Sequence, residues 1–122
     1  MREKWAVARG RAHIGTIIRV GDTAYISSGD FGPAFLTAVN VETGAVRWQD
    51  RTFARAQLLY ADNKLIVLDE DGTLGIAGVS AQGLQVLARA PIMTNLAWTP
   101  PTLVGRTLYV RDRRTTAAYD LS

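Results

Sequence analysis

Ala38-Val39-Asn40-Val41-Glu42-Thr43-Gly44-Ala45-Val46-Arg47-Trp48 is the stretch of sequence that decides the fold. Two short apolar runs flank the polar segment 42–44, in which Gly44 is free to take a positive φ angle. Apolar runs on either side of such a corner are typical of a β-hairpin. The stretch therefore predicts two antiparallel strands, the second of which carries a large aromatic side chain, Trp48.

Length and composition indicate one folded domain with a hydrophobic core. The chain has 122 residues, of which 48% are hydrophobic and 20% are charged, as in ordinary globular proteins. It has no cysteine, which excludes disulfides, thiolate nucleophiles and cysteine-based metal sites. Residues 1–5 lack the apolar stretch of a signal peptide, and no apolar run approaches the roughly 20 residues of a membrane span. The sequence predicts no membrane span and leaves the cellular compartment open.

The net charge of +3 comes from arginines that gather near the two ends of the chain. A nucleic-acid interface would need these charges in one stripe with interleaved aromatic residues. Asp112 interrupts the second group, and no nucleic-acid motif is present. We therefore predict no nucleic-acid partner and assign these side chains to solvated strand ends and turns. The two groups are Arg2, Lys4, Arg9 and Arg11, and Arg106, Arg111, Arg113 and Arg114.

The chain repeats itself about every 40 residues. Residues 20–26 match residues 60–66 and 104–110, at spacings of 40 and 44 residues. In a second register, residues 38–41 match residues 118–121, with a degenerate middle copy at residues 76–79. Helical periodicity is absent, and Gly, Asn and Asp separate short apolar runs. Repeats of this length with four strands each are typical of β-propeller blades, and a sandwich or barrel is the less favoured alternative.

We predict an all-β chain of about three β-propeller blades, each a four-stranded antiparallel sheet, which form a partial propeller or half of a closed ring. Residues 1–122 then make one propeller segment. Its parts are the outer strand of a preceding blade or a swapped strand (1–9), two blades (13–50 and 54–90) and an incomplete blade (97–122). The predicted strands are 16–20, 23–27, 35–41, 45–49, 56–60, 64–68, 73–79, 84–90, 101–104, 107–111 and 116–121. Residues 65–68 and 108–110 are apolar on both faces, which predicts sheets covered on both sides.

The opening stretch resembles the tryptophan-docking motif of pyrroloquinoline-quinone (PQQ)-type propeller repeats, whose usual form has Asp in the place of Asn40. The whole chain is similar to the C-terminal blades of bacterial PQQ-binding-like β-propeller proteins, which usually have seven or eight blades. The resemblance implies that Trp48 wedges between neighbouring blades, and that Trp5 does so for the preceding blade. It also implies, by analogy alone, a periplasmic or exported protein. The residues that match the docking motif are Ala38, Asn40, Thr43, Gly44 and Trp48.

We predict a non-catalytic binding or scaffold module that binds a protein partner or a second copy of itself and has no cofactor. The alternative that the resemblance implies is a fragment of a PQQ-dependent dehydrogenase. Its quinone and Ca²⁺ would then be held mainly by other blades. Residues 69–71 are acidic, but they lack the alternating spacing of a calcium loop. We interpret them, with Gly72, as a hairpin turn and predict no metal site.

The candidate ligand-binding residues are His13, Arg55 and Trp98. Alignment of the repeats places each of them just before an innermost strand, and innermost strands line the central channel of a propeller. These side chains could hold an anionic or aromatic ligand by charge-assisted hydrogen bonds and stacking, although packing or solvation is the alternative. His13 is the only histidine and has no nucleophile to serve, so no catalytic residue is predicted.

The predicted strands are enough for three blades of four. The chain begins with one outer strand, and the third blade lacks its own outer strand. Three blades closing on themselves would each turn through about 120°, which is tighter than in propellers of 4–8 blades. Two chains could instead exchange their N-terminal strands and close a six-bladed ring. The hypothesis is therefore a homodimer, or else a segment that needs further blades.

Overall fold

Antiparallel strands account for most of the chain. The computed structural model describes residues 1–6, 12, 15–29 and 33–122, and the described residues form strands and no helix. Every strand predicted within the three blades is present, with ends that differ by two residues at most. The strands are β1 (Ile18–Val20), β2 (Thr23–Ser28), β3 (Phe35–Asn40), β4 (Val46–Asp50), β5 (Ala56–Ala61), β6 (Lys64–Asp69), β7 (Thr73–Val79), β8 (Leu84–Pro91), β9 (Thr102–Val104), β10 (Thr107–Arg111) and β11 (Thr116–Asp120).

The strands form three sheets, in which strands that follow one another in sequence lie side by side. The orders are β1-β2-β3-β4, β5-β6-β7-β8 and β9-β10-β11, and every pair is antiparallel. These meanders are β-propeller blades, which confirms the predicted fold class. We call them blades 1, 2 and 3.

Cross-strand pairing corrects one of the two repeat registers. The first hairpin of each blade closes on Val20, Ala61 and Val104, which are 41 and 43 residues apart rather than 40 and 44. The predicted register was wrong by one residue in blade 2, because the turn there is Asp62-Asn63, with φ angles of 50° and 56°. A two-residue turn with positive φ at both positions is of type I′, and Asp and Asn tolerate this conformation.

The structure confirms the second repeat register, which aligns residues 38–41 with residues 76–79 and 118–121. Ala38, Ile76 and Ala118 each pair with the equivalent residue of the second strand in their own blade, namely Tyr25, Ile66 and Tyr109. A β-bulge follows in both complete blades, between Ala38 and Val39 and between Ile76 and Ala77. Residues 38, 76 and 118 are therefore structurally equivalent.

The core lies between the blades. One cluster of buried side chains, with Tyr25 and Leu65 among them, joins blade 1 to blade 2. A second cluster, which includes Ile66 and Leu108, joins blade 2 to blade 3. Blade 2 is thus covered on both faces, as its doubly apolar strand predicts. For blade 3, coverage on both faces stays a prediction: Tyr109 is 45% exposed, and no sheet among the described residues packs on that face.

The N-terminal segment lies against the free face of blade 1. Trp5 packs beside a small cluster that contains Ile26 and Val39, and Lys4 pairs with Glu42 at 3.1 Å. Residues 1–6 are not part of a strand. The assignment of residues 1–9 to an outer strand stays a prediction, because residues 7–11 lie outside the described residues.

Candidate functional site

Four side chains meet at one end of blades 2 and 3, which we call the loop face. They come from the connections β4–β5, β6–β7, β8–β9 and β10–β11, which reach the same end because successive strands run in opposite directions. This loop-face cluster consists of Arg55, Glu70, Trp98 and Arg113. Arg55 and Trp98 are predicted candidates, whereas His13 lies outside the described residues.

Glu70 is the centre of the loop-face cluster. Its Oε2 atom accepts hydrogen bonds from Arg55 Nη2 at 2.7 Å, Arg55 Nε at 3.2 Å and Trp98 Nε1 at 3.0 Å. The side chains of Arg55 and Glu70 are 16% and 22% exposed, so the pair is largely shielded from water. One carboxylate therefore holds a guanidinium and an indole in fixed positions.

Backbone hydrogen bonds tie together the loops that carry these side chains. The amide of Glu70 donates to the Arg55 carbonyl at 2.8 Å, and the amide of Ala97 donates to the Glu70 carbonyl at 3.1 Å. Arg55 Nη1 also donates to the Gly29 carbonyl of blade 1 at 3.0 Å. The loops of all three blades are thus linked through residues 55, 70 and 97.

The charge state of Glu70 follows from two opposing effects. Burial raises the pKa of Glu70, but the hydrogen bonds from Arg55 and Trp98, together with the charge of Arg55, outweigh burial and leave the pKa below its ordinary value. Glu70 is therefore a carboxylate at neutral pH. It supports the positions of Arg55 and Trp98 and has no proton to donate to a ligand.

Trp98 presents an exposed ring that contacts two guanidinium groups. The indole is 42% exposed, with the Cζ atoms of Arg55 and Arg113 at 5.8 Å and 4.8 Å from its ring centroid. Both distances are typical of cation–π contacts. Within the described part of the chain, Arg113 has no carboxylate partner. The cluster can therefore accept an anionic group on Arg113 and an apolar group beside Trp98.

The acidic segment after β6 forms a hairpin turn, as its sequence predicts. Asp69 Oδ1 accepts hydrogen bonds from the amides of Asp71 and Thr73, and its Oδ2 accepts one from the amide of Ala54. Gly72 has a φ angle of 88°. Among the described residues, no three His, Cys, Asp or Glu side chains lie close enough to hold a metal ion.

The carboxylates of this region do not fit the Ca²⁺ ion of a quinone-dependent dehydrogenase. Calcium needs six to eight oxygen ligands. Both oxygens of Asp69 already accept amide hydrogen bonds, and Oε2 of Glu70 is bound by Arg55 and Trp98. Asp69 and Glu70 are therefore already engaged within the protein and do not supply a set of free calcium ligands.

The predicted docking motif forms the outer hairpin of blade 1. Asn40 Oδ1 accepts hydrogen bonds from the amides of Glu42 and Thr43, and Thr43 Oγ1 accepts one from the amide of Ala45. Gly44 has a φ angle of 74°, and Ala38, which pairs with Trp48, is fully buried. The short polar side chains thus shape the corner, and Ala38 leaves room for the indole.

Trp48 and Trp5 make the same kind of contact, each with an outer hairpin of a neighbouring blade. Trp48 Nε1 donates to the carbonyl of Ser80 in blade 2 at 2.8 Å, and its ring lies 5.8 Å from the ring of Tyr25. Trp5 Nε1 donates to the carbonyl of Val41 in blade 1, also at 2.8 Å. Both acceptors lie in the hairpin between the third and fourth strands. Trp48 is partly buried, which is less than its docking role predicts.

Sequence reasoning missed Glu70 and Arg113 as members of the site. Glu70 was assigned to a turn and Arg113 to a solvated strand end, and both assignments are correct for the backbone. The available signal was the antiparallel order of the strands, which brings these connections to the end of the sheet that carries Arg55 and Trp98.

Comparison with protein-family models and with curated protein sequences gives no match. Comparison with solved structures does give matches. The chain is similar to BamB from Moraxella catarrhalis, with 20% identity and a TM-score of 0.60 over 84% of this chain and 29% of that one. It is also similar to a europium-containing methanol dehydrogenase, with 19% identity and a TM-score of 0.70 over 98% of this chain and 25% of that one. The computationally designed Ika4 protein matches at 8% identity with a TM-score of 0.55, over 100% of this chain and 99% of that one.

These similarities define the class of protein by its fold. BamB and the methanol dehydrogenase are PQQ-like β-propeller proteins, so the resemblance found in the sequence is confirmed at the level of the fold. The chain spans less than a third of the length of either protein. No helix in the described part of the chain is both long and apolar enough to cross a bilayer.

Proposed function

We propose that this chain supplies blades of a non-catalytic β-propeller that binds a segment of another protein at its loop face. The observation that carries the proposal is the exposed ring of Trp98, with the guanidinium of Arg113 4.8 Å from its centroid. Tryptophan and arginine are the side chains most enriched at the energetic centres of protein interfaces. The backbone and side-chain bonds around Glu70 hold this surface in place, which lowers the entropic cost of binding.

Charge selects the partner. Arg55 is neutralised by Glu70 at 2.7 Å, whereas Arg113 adds a positive charge that no described carboxylate balances. A carboxylate of the partner would form a charge-assisted pair with Arg113, while an apolar or aromatic side chain next to it would cover Trp98. The preferred partner is therefore an acidic segment that contains an aromatic residue.

Titration with short synthetic peptides tests this proposal. Peptides that contain glutamates and one tyrosine should shift the NMR signals of residues 92–101 and 112–115, and versions with glutamine should bind several-fold more weakly. Arg113→Gln should remove this preference, and Trp98→Ala should weaken both peptides about tenfold or more. Arg19→Gln, at the opposite end of blade 1, is the matched control. Equal binding of the two peptides by the wild type would refute the acidic-partner proposal.

We also propose that the free face of blade 3 packs against a further blade. Tyr109 and Val104, at 45% and 62% exposure, present an apolar surface there. Trp5 already occupies, on blade 1, the place that Trp48 occupies on blade 2. A second copy of the chain could supply the missing neighbour and close a six-bladed ring; blades of a longer polypeptide could do the same.

The second candidate function is a segment of a quinone-dependent dehydrogenase. It is favoured by the TM-score of 0.70 with the methanol dehydrogenase over 98% of this chain. The described carboxylates do not fit the metal, so most of the cofactor site would lie in other blades. Calcium-dependent, saturable binding of PQQ, followed by absorbance, would support this function.

A further inference from the structure

An apolar cleft lies between blade 2 and blade 3, next to the side chains that join them. Its volume is about 480 Å³, which lies within the range of small-molecule sites. Apolar side chains from both blades form its walls, and three charged residues stand among them. The lining residues are Ala61, Asp62, Lys64, Ile66, Ile76, Leu87, Leu103, Gly105, Arg106 and Leu121. We call this space the interblade cleft.

The interblade cleft occupies the place that the indole of Trp48 fills between blades 1 and 2. Trp48 contacts Tyr25 and pairs with Ala38. Ile66 and Ile76 are the blade 2 equivalents of these two residues, since the pair Ile66–Ile76 matches the pair Tyr25–Ala38. Both line the cleft. The repeat thus shows which chemical group fits between two neighbouring blades at this position.

The cleft exists because blade 2 has alanine where blade 1 has tryptophan. Ile76 pairs with Ala88 just before the β-bulge, as Ala38 pairs with Trp48 just before the bulge of blade 1. Directly paired residues of an antiparallel sheet lie on the same face, so Ala88 faces the same side as Ile76. An alanine leaves the volume of an indole ring unfilled. The cross-strand pairing thus places Ala88 at the tryptophan position of blade 2.

The charged residues of the interblade cleft differ in their partners. Lys64 Nζ pairs with Asp62 Oδ2 at 3.0 Å. Arg106 makes no ion pair with any described residue. The cleft therefore combines an apolar interior with one uncompensated guanidinium, which matches a ring that carries a carboxylate.

We propose that the interblade cleft is a binding site for a small planar aromatic carboxylate. The ring takes the place that Trp48 holds between blades 1 and 2, against Ile66 and Ile76. The carboxylate binds the guanidinium of Arg106. This site lies apart from the loop-face cluster and does not depend on the proposed protein partner.

Calorimetry with indole-3-acetate and with indole tests the proposal on the purified chain. Indole-3-acetate should bind one site with a dissociation constant of about 0.1–1 mM, and indole should bind about tenfold more weakly because it lacks the carboxylate. Arg106→Gln should weaken indole-3-acetate to the level of indole and leave indole unchanged. Heat without saturation up to about 10 mM would overturn the proposal.

A second set of variants locates the ligand. Ala88→Trp should fill the cleft from within, raise the melting temperature and weaken both ligands at least about tenfold. Gln85→Trp adds an indole elsewhere on β8 and should leave binding unchanged. If Ala88→Trp does not fold, Leu87→Arg replaces it as the test of the ligand's location. Leu87 lines the cleft and is 52% exposed. Unchanged binding of indole-3-acetate by a folded Ala88→Trp or Leu87→Arg variant would show that the ligand does not occupy this cleft.

Discussion

Asp69 and Asp112 occupy the same place in blades 2 and 3 and make the same kind of hydrogen bonds. Oδ1 of each accepts two amides of its own turn, and Oδ2 of each accepts the amide of the preceding inter-blade loop, Ala54 in one case and Asn95 in the other. Both side chains are only 4% exposed. An aspartate at the end of the second strand therefore fastens the loop that enters each of these two blades.

Replacement of Asp69 should destabilise the fold. Asp69→Ala leaves three backbone amides without an acceptor, and an unsatisfied buried amide costs about 1–3 kcal/mol. We expect a loss of about 2–4 kcal/mol in the free energy of unfolding, measured by urea denaturation. Asp71→Ala, at an exposed position of the same turn, is the control and should cost little. Equal costs for the two variants would mean that these hydrogen bonds do not stabilise the loop.

Acid should destabilise the protein through Asp112. Backbone hydrogen bonds from Arg114 and Thr115 outweigh burial and lower the pKa of Asp112 from 3.8 to about 2. Because the folded pKa lies below the unfolded one, the stabilising effect is complete above about pH 5 and is lost as the pH falls through 3.8 toward 2. Asp112→Asn should therefore lower the melting temperature at neutral pH and have little effect near pH 2. A constant difference across the pH range would contradict this assignment.

The local pattern of the chain was enough to predict the strands, because each turn carries its own chemistry. Gly21 and Gly105 have positive φ angles at the first hairpins of blades 1 and 3, and Gly44 and Gly72 have them at other turns. Blade 2 was misaligned by one residue because its first turn contains no glycine. Asp62-Asn63 makes that turn instead, and the sequence around it aligns equally well one residue earlier.

Gly44 should be essential for the docking of Trp5. A Cβ atom at this position would lie 2.7 Å from two atoms of the Trp5 ring, and the φ angle is +74°. Gly44→Ala should thus both strain the turn and displace the indole, at a cost of about 1–3 kcal/mol. Gly21→Ala has a φ angle of +61° with no atom within 4 Å, so it measures the backbone strain alone.

The fluorescence of Trp5 distinguishes the two effects when Trp48 and Trp98 are replaced by phenylalanine, which leaves Trp5 as the only tryptophan. The maximum should move to longer wavelength in Gly44→Ala, because the displaced ring becomes more exposed, and should stay unchanged in Gly21→Ala. An equal loss of stability in the two variants, with no change in fluorescence, would mean that Trp5 does not depend on Gly44.

Trp48 should contribute more to stability than Trp98. Trp48 packs between two blades and donates to Ser80, whereas Trp98 is 42% exposed. Because Trp48 is only partly buried, Trp48→Ala should cost about 2–3 kcal/mol instead of the 3–5 kcal/mol of a fully buried tryptophan. Trp98→Ala should cost about 1 kcal/mol, since Glu70 keeps Arg55 as a partner. Urea denaturation of the two variants gives the order, and a reversed order would exclude the docking role of Trp48.

The candidate site was only partly predictable from the sequence. Arg55 and Trp98 could be found because both precede an inner strand. The strand order also places Glu70 at that end of the sheet, but a glutamate in an acidic turn looks the same in the sequence whether it faces water or an arginine. The contact of Glu70 with Trp98 depends on how blades 2 and 3 pack. That packing is set by buried side chains that are distant from each other in the sequence, such as Ile66 and Leu108.

Assembly through the free face of blade 3 is the remaining prediction. Tyr109 and Val104 leave apolar surface in water on that face, and such surfaces favour association. Trp5 is docked on blade 1 as the outer-strand tryptophan of a preceding blade would be. We therefore expect light scattering to show a dimer of the chain. Tyr109→Glu, which places a charge in the contact, should yield a monomer.

Deletion of residues 1–6 removes Trp5 and should also weaken the dimer, because the indole then no longer bridges the two chains. Tyr60→Glu is unsuitable as a control because Tyr60 packs in the core between blades 1 and 2. Gln82→Glu, at an exposed position of the β7–β8 hairpin of blade 2, adds a negative charge away from the free face of blade 3 and should remain dimeric. A wild-type monomer whose melting temperature is unchanged by the deletion would refute closure by a second copy, and the neighbouring blade would then have to come from a longer polypeptide.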